Sequence, residues 1–391
     1  MRYHARQLGY CSNVHPGESL AGVTGNMRSY LAAVRRARGL DSMHCGLWLS
    51  AEAADTLQDH SAMGIFKQCL QDAKLQLTTV NGFPYGNFHR APVKADVYLP
   101  DWSEDARRLY SLNLAAILSG CLESEYSTGT ISTLPLGYAS AWTPAKHRQA
   151  LHQLVRLSEE LATLEEQSGK RILLCLEMEP DCVLETTDDC LAFFTELKQQ
   201  GARLRYLGIC LDVCHQAVMF EDLYQSLTRL HQAGIEIGKI QLSNALRLPM
   251  SQPQSTAGLQ RLGEFADSTY LHQCKGRPAE GGIRHWADLP AMLADKADLA
   301  KLEELRVHFH VPLFWQGSED QSLLSTQSSL QQVMDFLSDT PQCRPHLEVE
   351  TYSWQVLPGA IRPKDSSGLL AGISHELRWL EDQLSARHLL D

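Results

Sequence analysis

Leu174-Cys175-Leu176-Glu177-Met178-Glu179-Pro180 begins as an apolar strand and ends in two carboxylates. A strand covered on both faces reads as a nearly continuous hydrophobic run, so acids near its end need a reason. Strand alternation puts Glu177 and Glu179 on the face opposite Leu176 and Met178. The same interruption recurs further along the chain. Asp212 stands opposite Leu211 and Val213, and Gln241 and Ser243 stand opposite Ile240 and Leu242. His308 and His310 alternate with Val307, Phe309 and Val311, and His346, Glu348 and Glu350 alternate with Leu347 and Val349. Most of these polar groups lie at the C-terminal ends of their runs, where barrels of parallel strands carry their chemistry.

Working outward from these runs, nine strand candidates alternate with helical patterns: 8–13, 45–50, 78–82, 129–134, 172–179, 207–212, 239–244, 306–311 and 346–352. Thr143-Pro144 opens a long helix running to about Gln167 and closed by Ser168-Gly169, and Thr187/Asp188 opens another that ends at Gly201. Further helices are expected over 103–119, 221–233, 323–338 and 368–387. This unbroken βα rhythm predicts one closed barrel of eight parallel strands. An open doubly wound sheet would want a glycine fingerprint after its first strand, and neither GxGxxG nor GxxxxGK[ST] occurs. The length of 391 residues then reads as a single domain rather than several. Its surplus is placed in a Pro-, Gln-, Ser- and Gly-rich excursion over 245–300, read as a lid with one or two short helices before the last strand, and in a C-terminal helical extension over 359–391.

Composition excludes several function classes. The net charge of -11, from 46 acidic against 35 Lys and Arg residues, argues against a nucleic-acid partner, whose phosphates need cationic neutralisation. No run approaches the length of a membrane span, and the N-terminal stretch has no apolar signal segment, so a cytoplasmic protein is expected. The 11 cysteines form no CxxC, and those at 175, 210 and 214 fall in or beside apolar runs, as buried thiols do.

Several carboxylates converging on one barrel mouth, with few Lys or Arg in the same strands, need a cation, and a divalent metal is the simplest supplier. Glu177, Asp212, Gln241 and Glu350 form the candidate set. Glu179 and Glu348 compete with their neighbours two residues away. Asp212-Val213-Cys214-His215 adds a second constraint, because a strand-end Asp and a His three residues on can reach one small site.

The strand-end pattern resembles the xylose-isomerase-like barrels, a superfamily of sugar isomerases and epimerases, hydroxypyruvate isomerase and endonuclease IV. The resemblance implies a divalent cation (Mn, Mg, Zn or Co) held by Glu177 after strand five, Asp212 of DxxH after strand six, Gln241 after strand seven and Glu350 after strand eight. The chain is also similar, nearly end to end, to the EboE-type metabolite-traffic family of bacterial ebo clusters. GYCSNVHPGE (9–18), GLWLS (46–50), VNGFPYGNFH (80–89), ISTLPLGY (131–138), LEMEP (176–180), RVHFHVPLF (306–314) and HLEVETYSWQVLP (346–358) carry that likeness. It implies a role in specialised-metabolite biosynthesis or export, with other ebo-cluster proteins as partners. Two readings of RVHFHVP stand open. In one it lies between the seventh and eighth strands, and His308 and His310 act as additional metal ligands, as a Dx[DH] pair does in multinuclear members. In the other it is itself a barrel strand, and an N-terminal candidate falls outside the barrel.

Further site candidates follow the strands: Asn13 and His15 after the first, Asn81, Tyr85 and His89 after the third, and Trp354 beyond the last. Of these, His15, Asn81, His89 and Trp354, together with His215, are expected to line a substrate pocket. The expected chemistry is metal-dependent isomerisation or epimerisation of a small hydroxy-carbonyl metabolite, with Glu177 and Glu350 as acid and base and His215 orienting a substrate oxygen. A noncatalytic metabolite-binding or traffic protein and a multinuclear hydrolase of endonuclease IV type are the alternatives.

Overall fold

Seven short strands alternate with helices from the start of the chain: β1 (Gly9–Tyr10), β2 (Met43–Trp48), β3 (Leu75–Asn81), β4 (Thr128–Thr133), β5 (Arg171–Glu177), β6 (Leu207–Asp212) and β7 (Ile237–Leu242). Five more follow, β8 (Asn244–Pro249), β9 (Cys274–Pro278), β10 (Arg284–Trp286), β11 (Leu302–Val311) and β12 (Leu324–Ser325), before β13 (His346–Val349). In this computed structural model, residues 2–86, 88–89, 94–359 and 361–391 are described.

The strands β1-β13-β7-β6-β5-β4-β3-β2 form one sheet in that order, and every pairing within it is parallel. A parallel bridge between Cys11 and Gly46 joins its two edges, so the sheet is a nearly closed eight-stranded barrel. This is the expected TIM (β/α)8 architecture. Eight of the nine strand candidates belong to it.

Local chemistry sets the helices around it. Thr143 accepts from Lys146 N at the start of Pro144–Ser168, and Gly169, with φ of 69°, ends that helix in the left-handed conformation that glycine adopts without strain. Thr186 and Asp189 make a reciprocal capping box at the start of Thr187–Gln199. The expected C-terminal helical extension is present as Ser366–Ala386; it follows the last barrel strand and packs on helix Ala32–Ala37, where it takes the place of the barrel's eighth helix. Arg38 Nε donates to Glu381 Oε1 at 3.0 Å across that contact. Among the described residues, no helix is long and apolar enough to cross a membrane.

The expected excursion over 245–300 is more ordered and longer than a lid with short helices. Together with the segment up to Ser325 it builds a second sheet, β10-β9-β11-β8-β12, in which every pairing is antiparallel. Its Pro-, Gly- and Ser-rich stretches are largely the connections between short strands. β11 is its centre, so His308 and His310 lie between the seventh and eighth barrel strands, and the reading of RVHFHVP as a barrel strand is corrected. Period-2 alternation reports the pleat of a strand, not the sheet it joins.

Candidate active site at the C-terminal mouth of the barrel

The ends of β3, β5, β6, β7 and β13 and the turn after β1 bring their polar residues together at one end of the barrel. Leu173, Cys175 and Cys210 fill the interior below it. Lys239 and Glu348 face each other alongside, both fully buried, with Nζ 2.6 Å from Oε2. Above them Glu177, Asp212 and Glu350 come together, each offering a carboxylate oxygen within 4.8 Å of the others. Glu348 therefore already has a cation in Lys239, a strand-start lysine that sequence reasoning overlooked. Glu350 is the last-strand carboxylate that joins the cluster.

Amide groups fix the orientation of Glu350. Asn13 Nδ2 and Asn81 Nδ2 each donate to its Oε1 at 2.8 Å, and Gln241 Nε2 donates to its Oε2. Gln241 Oε1 in turn accepts from the Cys210 thiol at 2.6 Å. Asp212 caps the short helix Val213–Val218 by accepting from His215 N at 3.0 Å, which brings the His215 ring into the same chamber. His215 Nδ1 lies 3.5 Å from Glu177 Oε1. Glu179 points the same way as Glu177 but is engaged by Tyr98, whose hydroxyl donates to Oε1 at 2.7 Å. Glu177 Oε2, Glu179 Oε2 and Asp212 Oδ2 are buried without a hydrogen-bond partner.

The second sheet brings His308 and His310 over these acids beside His215, and the three rings share one tautomer. Gln273 Nε2 donates to Pro180 O at 3.2 Å, which turns its Oε1 toward His308 Nδ1 at 2.7 Å. His310 Nδ1 lies 2.7 Å from the Glu350 carbonyl oxygen, and His215 Nδ1 lies 3.0 Å from that of Met178. Each Nδ1–H is thus spent on an oxygen acceptor, leaving each Nε2 as a lone pair. The Nε2 atoms of His308 and His310 are 3.1 Å apart, so two lone pairs face each other. Asp212 groups with His215 and His310, and Glu179 with His215 and His308, in arrangements able to hold an ion.

The electrostatics follow from burial. Burial, then Glu350 and Asp212, push the Glu177 carboxyl well above its ordinary range, and burial, then Asp212, does the same to Glu350. Burial also raises Asp212, and it lifts Glu179 to about 8. It drives His215 down to about 3 and His310 to about 4. Burial thus favours the protonated form of these acids and the neutral form of these rings; a bound cation would instead favour the carboxylates while keeping the rings neutral.

A cavity opens onto the cluster. Asn13, Asn81, Glu177, Glu179, His215, His308, His310 and Glu350 line its polar side, and Phe83, Phe88, Tyr98, Tyr270 and Tyr352 line its aromatic side. Several expected positions fall elsewhere. His15 lies outside this lining, bonded to the Tyr10 hydroxyl at 2.9 Å and stacked on Tyr30. Trp354 also lies outside it, donating from Nε1 to Glu376 Oε2 at 2.9 Å. Both follow strands that feed the site, but the 3-10 turns at Ser12–Val14 and Tyr352–Gln355 direct their rings away. His89 sits behind the wall with Nε2 2.7 Å from Asn13 O. Tyr98, Tyr270 and Gln273, unforeseen from sequence, come from the 3-10 turn Lys94–Tyr98 and the connection leading into β9, where no strand pattern marks them.

No protein-family model matches the chain, and no curated protein matches it. Solved structures match along almost its whole length. One is a xylose-isomerase-like TIM barrel protein from Mycobacterium smegmatis, solved in complex with magnesium, at TM-score 0.53 and 11% identity, covering 98% of this chain and 99% of that one. Another is L-ribulose 3-epimerase, at TM-score 0.51 and 13% identity, covering 97% and 95%. The fold is that of the xylose-isomerase-like barrels.

Proposed function

We propose that the chain is a divalent-cation-dependent isomerase or epimerase acting on a small hydroxy-carbonyl compound of the sugar class. The observation that carries this reading is the buried convergence of Glu177, Asp212 and Glu350, with carboxylate oxygens left unpartnered. Three such groups cannot all be anions there without a cation. Glu177, Asp212 and Glu350 would hold it through oxygen, a donor set suited to Mg or Mn, while Gln241, expected as a fourth ligand, has its Oε1 on the Cys210 thiol and orients Glu350 through Nε2. His308 and His310, with His215, add imidazole nitrogens suited to Zn or Co at an adjoining position. The bound cation supplies polarisation of the substrate carbonyl and offsets the charge that develops as the neighbouring C–H proton leaves.

The chain's own residues do the rest. Glu177, with Oε2 free of hydrogen bonds, takes the proton from carbon. Glu350 faces it as the second acid–base group, its orientation set by Asn13, Asn81 and Gln241. His215 Nε2 accepts from a substrate hydroxyl. Asn81 has its amide nitrogen on Glu350 and its oxygen on Phe83 N at 3.0 Å, so it acts through Glu350 rather than by holding substrate. The aromatic wall excludes water from the reacting carbon.

A second reading draws on the likeness to the EboE-type traffic family. Segments that carry it, 80–89, 306–314 and 346–358, supply Phe83, Phe88, His308, His310, Glu350 and Tyr352 to the cavity. In that role the cavity captures a metabolite and passes it to other ebo-cluster proteins.

One experiment tests both readings. The cation-loaded protein is incubated in D2O with a panel of ketoses and related hydroxy-ketones, and deuterium at carbon is read by NMR. Incorporation that needs the cation and disappears in Glu177→Gln, with the fold retained, is the expected result. Full exchange by cation-free protein overturns the enzyme reading. A co-purified metabolite released unchanged, with no exchange anywhere in the panel, supports the traffic role instead.

A further inference from the structure

The opposite, N-terminal end of the barrel holds a second cavity, of about 360 Å³, within the size range of small-molecule pockets. Arg2, Arg171, Arg344, His44 and His346 line it, and among the described residues Glu236 is its one acidic lining residue. That single acid is already committed, since Arg171 grips it in a two-pronged ion pair at 2.8 and 2.7 Å. Arg344 lies with its guanidinium 5.3 Å from the centre of the Tyr3 ring, and its Nε and Nη1 are buried with no acceptor. Two residues further on, His346 Nε2 is likewise buried without a partner. Three orphaned nitrogens on one short segment beside a cationic cavity form an arrangement that lacks its anion. Buried polar groups are otherwise nearly always paired.

Among the described residues, Arg2 pairs with Asp391 and Arg171 with Glu236, while Arg344 forms no ion pair. Burial and then the positive neighbours Lys239 and His44 hold His346 well below its ordinary pKa, and burial and then Arg6 hold His44 down to about 4. An unpaired arginine in such a field presents a planar fork that matches tetrahedral oxyanions. The cavity is separate from the candidate active site, because His346 stands four residues before Glu350, about 13 Å along an extended strand.

We propose that this N-terminal cavity binds a phosphate group, with Arg344 as its anchor and His346 and Arg171 beside it. The phosphate belongs to inorganic phosphate or to a small phosphorylated metabolite, and both present the same oxyanion.

The test titrates the full-length protein with inorganic phosphate, followed by 31P NMR and by the ring signals of selectively labelled histidines. Saturable binding that moves the His44 and His346 signals is expected, with chloride at equal ionic strength leaving them in place. Arg344→Gln should weaken the affinity at least tenfold, and Arg344→Lys should recover part of it. If Arg344→Gln does not fold, the histidine shifts in the unaltered protein still decide the question. Glycerol phosphate binding more tightly than inorganic phosphate, and displacing it, assigns the site to a phosphorylated metabolite; the reverse order assigns it to the free ion. No saturable binding at 10 mM phosphate, unmoved histidine signals, or equal affinity in Arg344→Gln overturns the proposal.

Discussion

Glu376 offers a measurement in which two opposing effects trade places with pH. Its carboxyl is fully buried in the eighth helix. Oε1 accepts from the Thr351 hydroxyl at 2.6 Å and from Leu313 N at 3.2 Å, and Oε2 accepts from Trp354 Nε1 at 2.9 Å. It thereby ties the helix to the segment just after Glu350 and to the end of β11. Burial pushes its pKa from an ordinary 4.5 up to about 7, against the pull of those three donors. The native state therefore keeps a proton that the unfolded chain has already released. The stability this provides is complete below the unfolded pKa and is lost as pH rises through about 7. At about 1.36 kcal/mol for each tenfold in acidity, the loss is roughly 3 kcal/mol, most of it between pH 5 and 8. Glu376→Gln abolishes the titration, yet it sets an amide N–H against the indole N–H of Trp354, a clash costing about 1–3 kcal/mol at every pH. Urea unfolding followed by circular dichroism should find the variant less stable than the parent at pH 5 and equal to it or more stable at pH 8.5. Other titrating groups are shared by the two proteins and cancel in the difference. A stability difference that is the same at both pH values would refute the reasoning.

The barrel interior yields two further expectations. Lys239→Met leaves the buried Glu348 carboxylate without its cation and should cost about 3–5 kcal/mol in urea unfolding, while Lys239→Met combined with Glu348→Leu should recover most of that loss. Gly46→Ala places a Cβ 1.3 Å from Glu348 Oε1, so the ion pair must shift; thermal unfolding should show a loss of about 1–3 kcal/mol or more, and a neutral result would mean that Glu348 has room to move.

The alternation around Glu177, Asp212, Gln241 and Glu350 was legible because an acid or amide facing the inside of a two-sided strand breaks a pattern that burial otherwise enforces. Choosing among neighbouring acids was not legible, and the structure shows why. Glu348 and Glu350 share a strand, a face and a chemistry, and they part company only through groups brought from elsewhere in the chain. Lys239 takes the first, and amides from the turn after β1 and the end of β3, together with Gln241, take the second. Glu177 and Glu179 separate in the same way, because Tyr98 claims Glu179 from a segment 81 residues upstream. The second sheet was hidden for a different reason. Its strand β9 reads Cys-Lys-Gly-Arg-Pro, a composition that disfavours strands, and it is extended because β10 and β11 hydrogen-bond to it on either side. That sheet fixes the tautomers of His308 and His310: Gln273, next to β9, orients His308, and β11 carries both rings across to the Glu350 strand. The roles of the acids thus depend on an element whose own strands are specified by tertiary pairing, so the donor set follows from the fold as a whole and from no single motif within it.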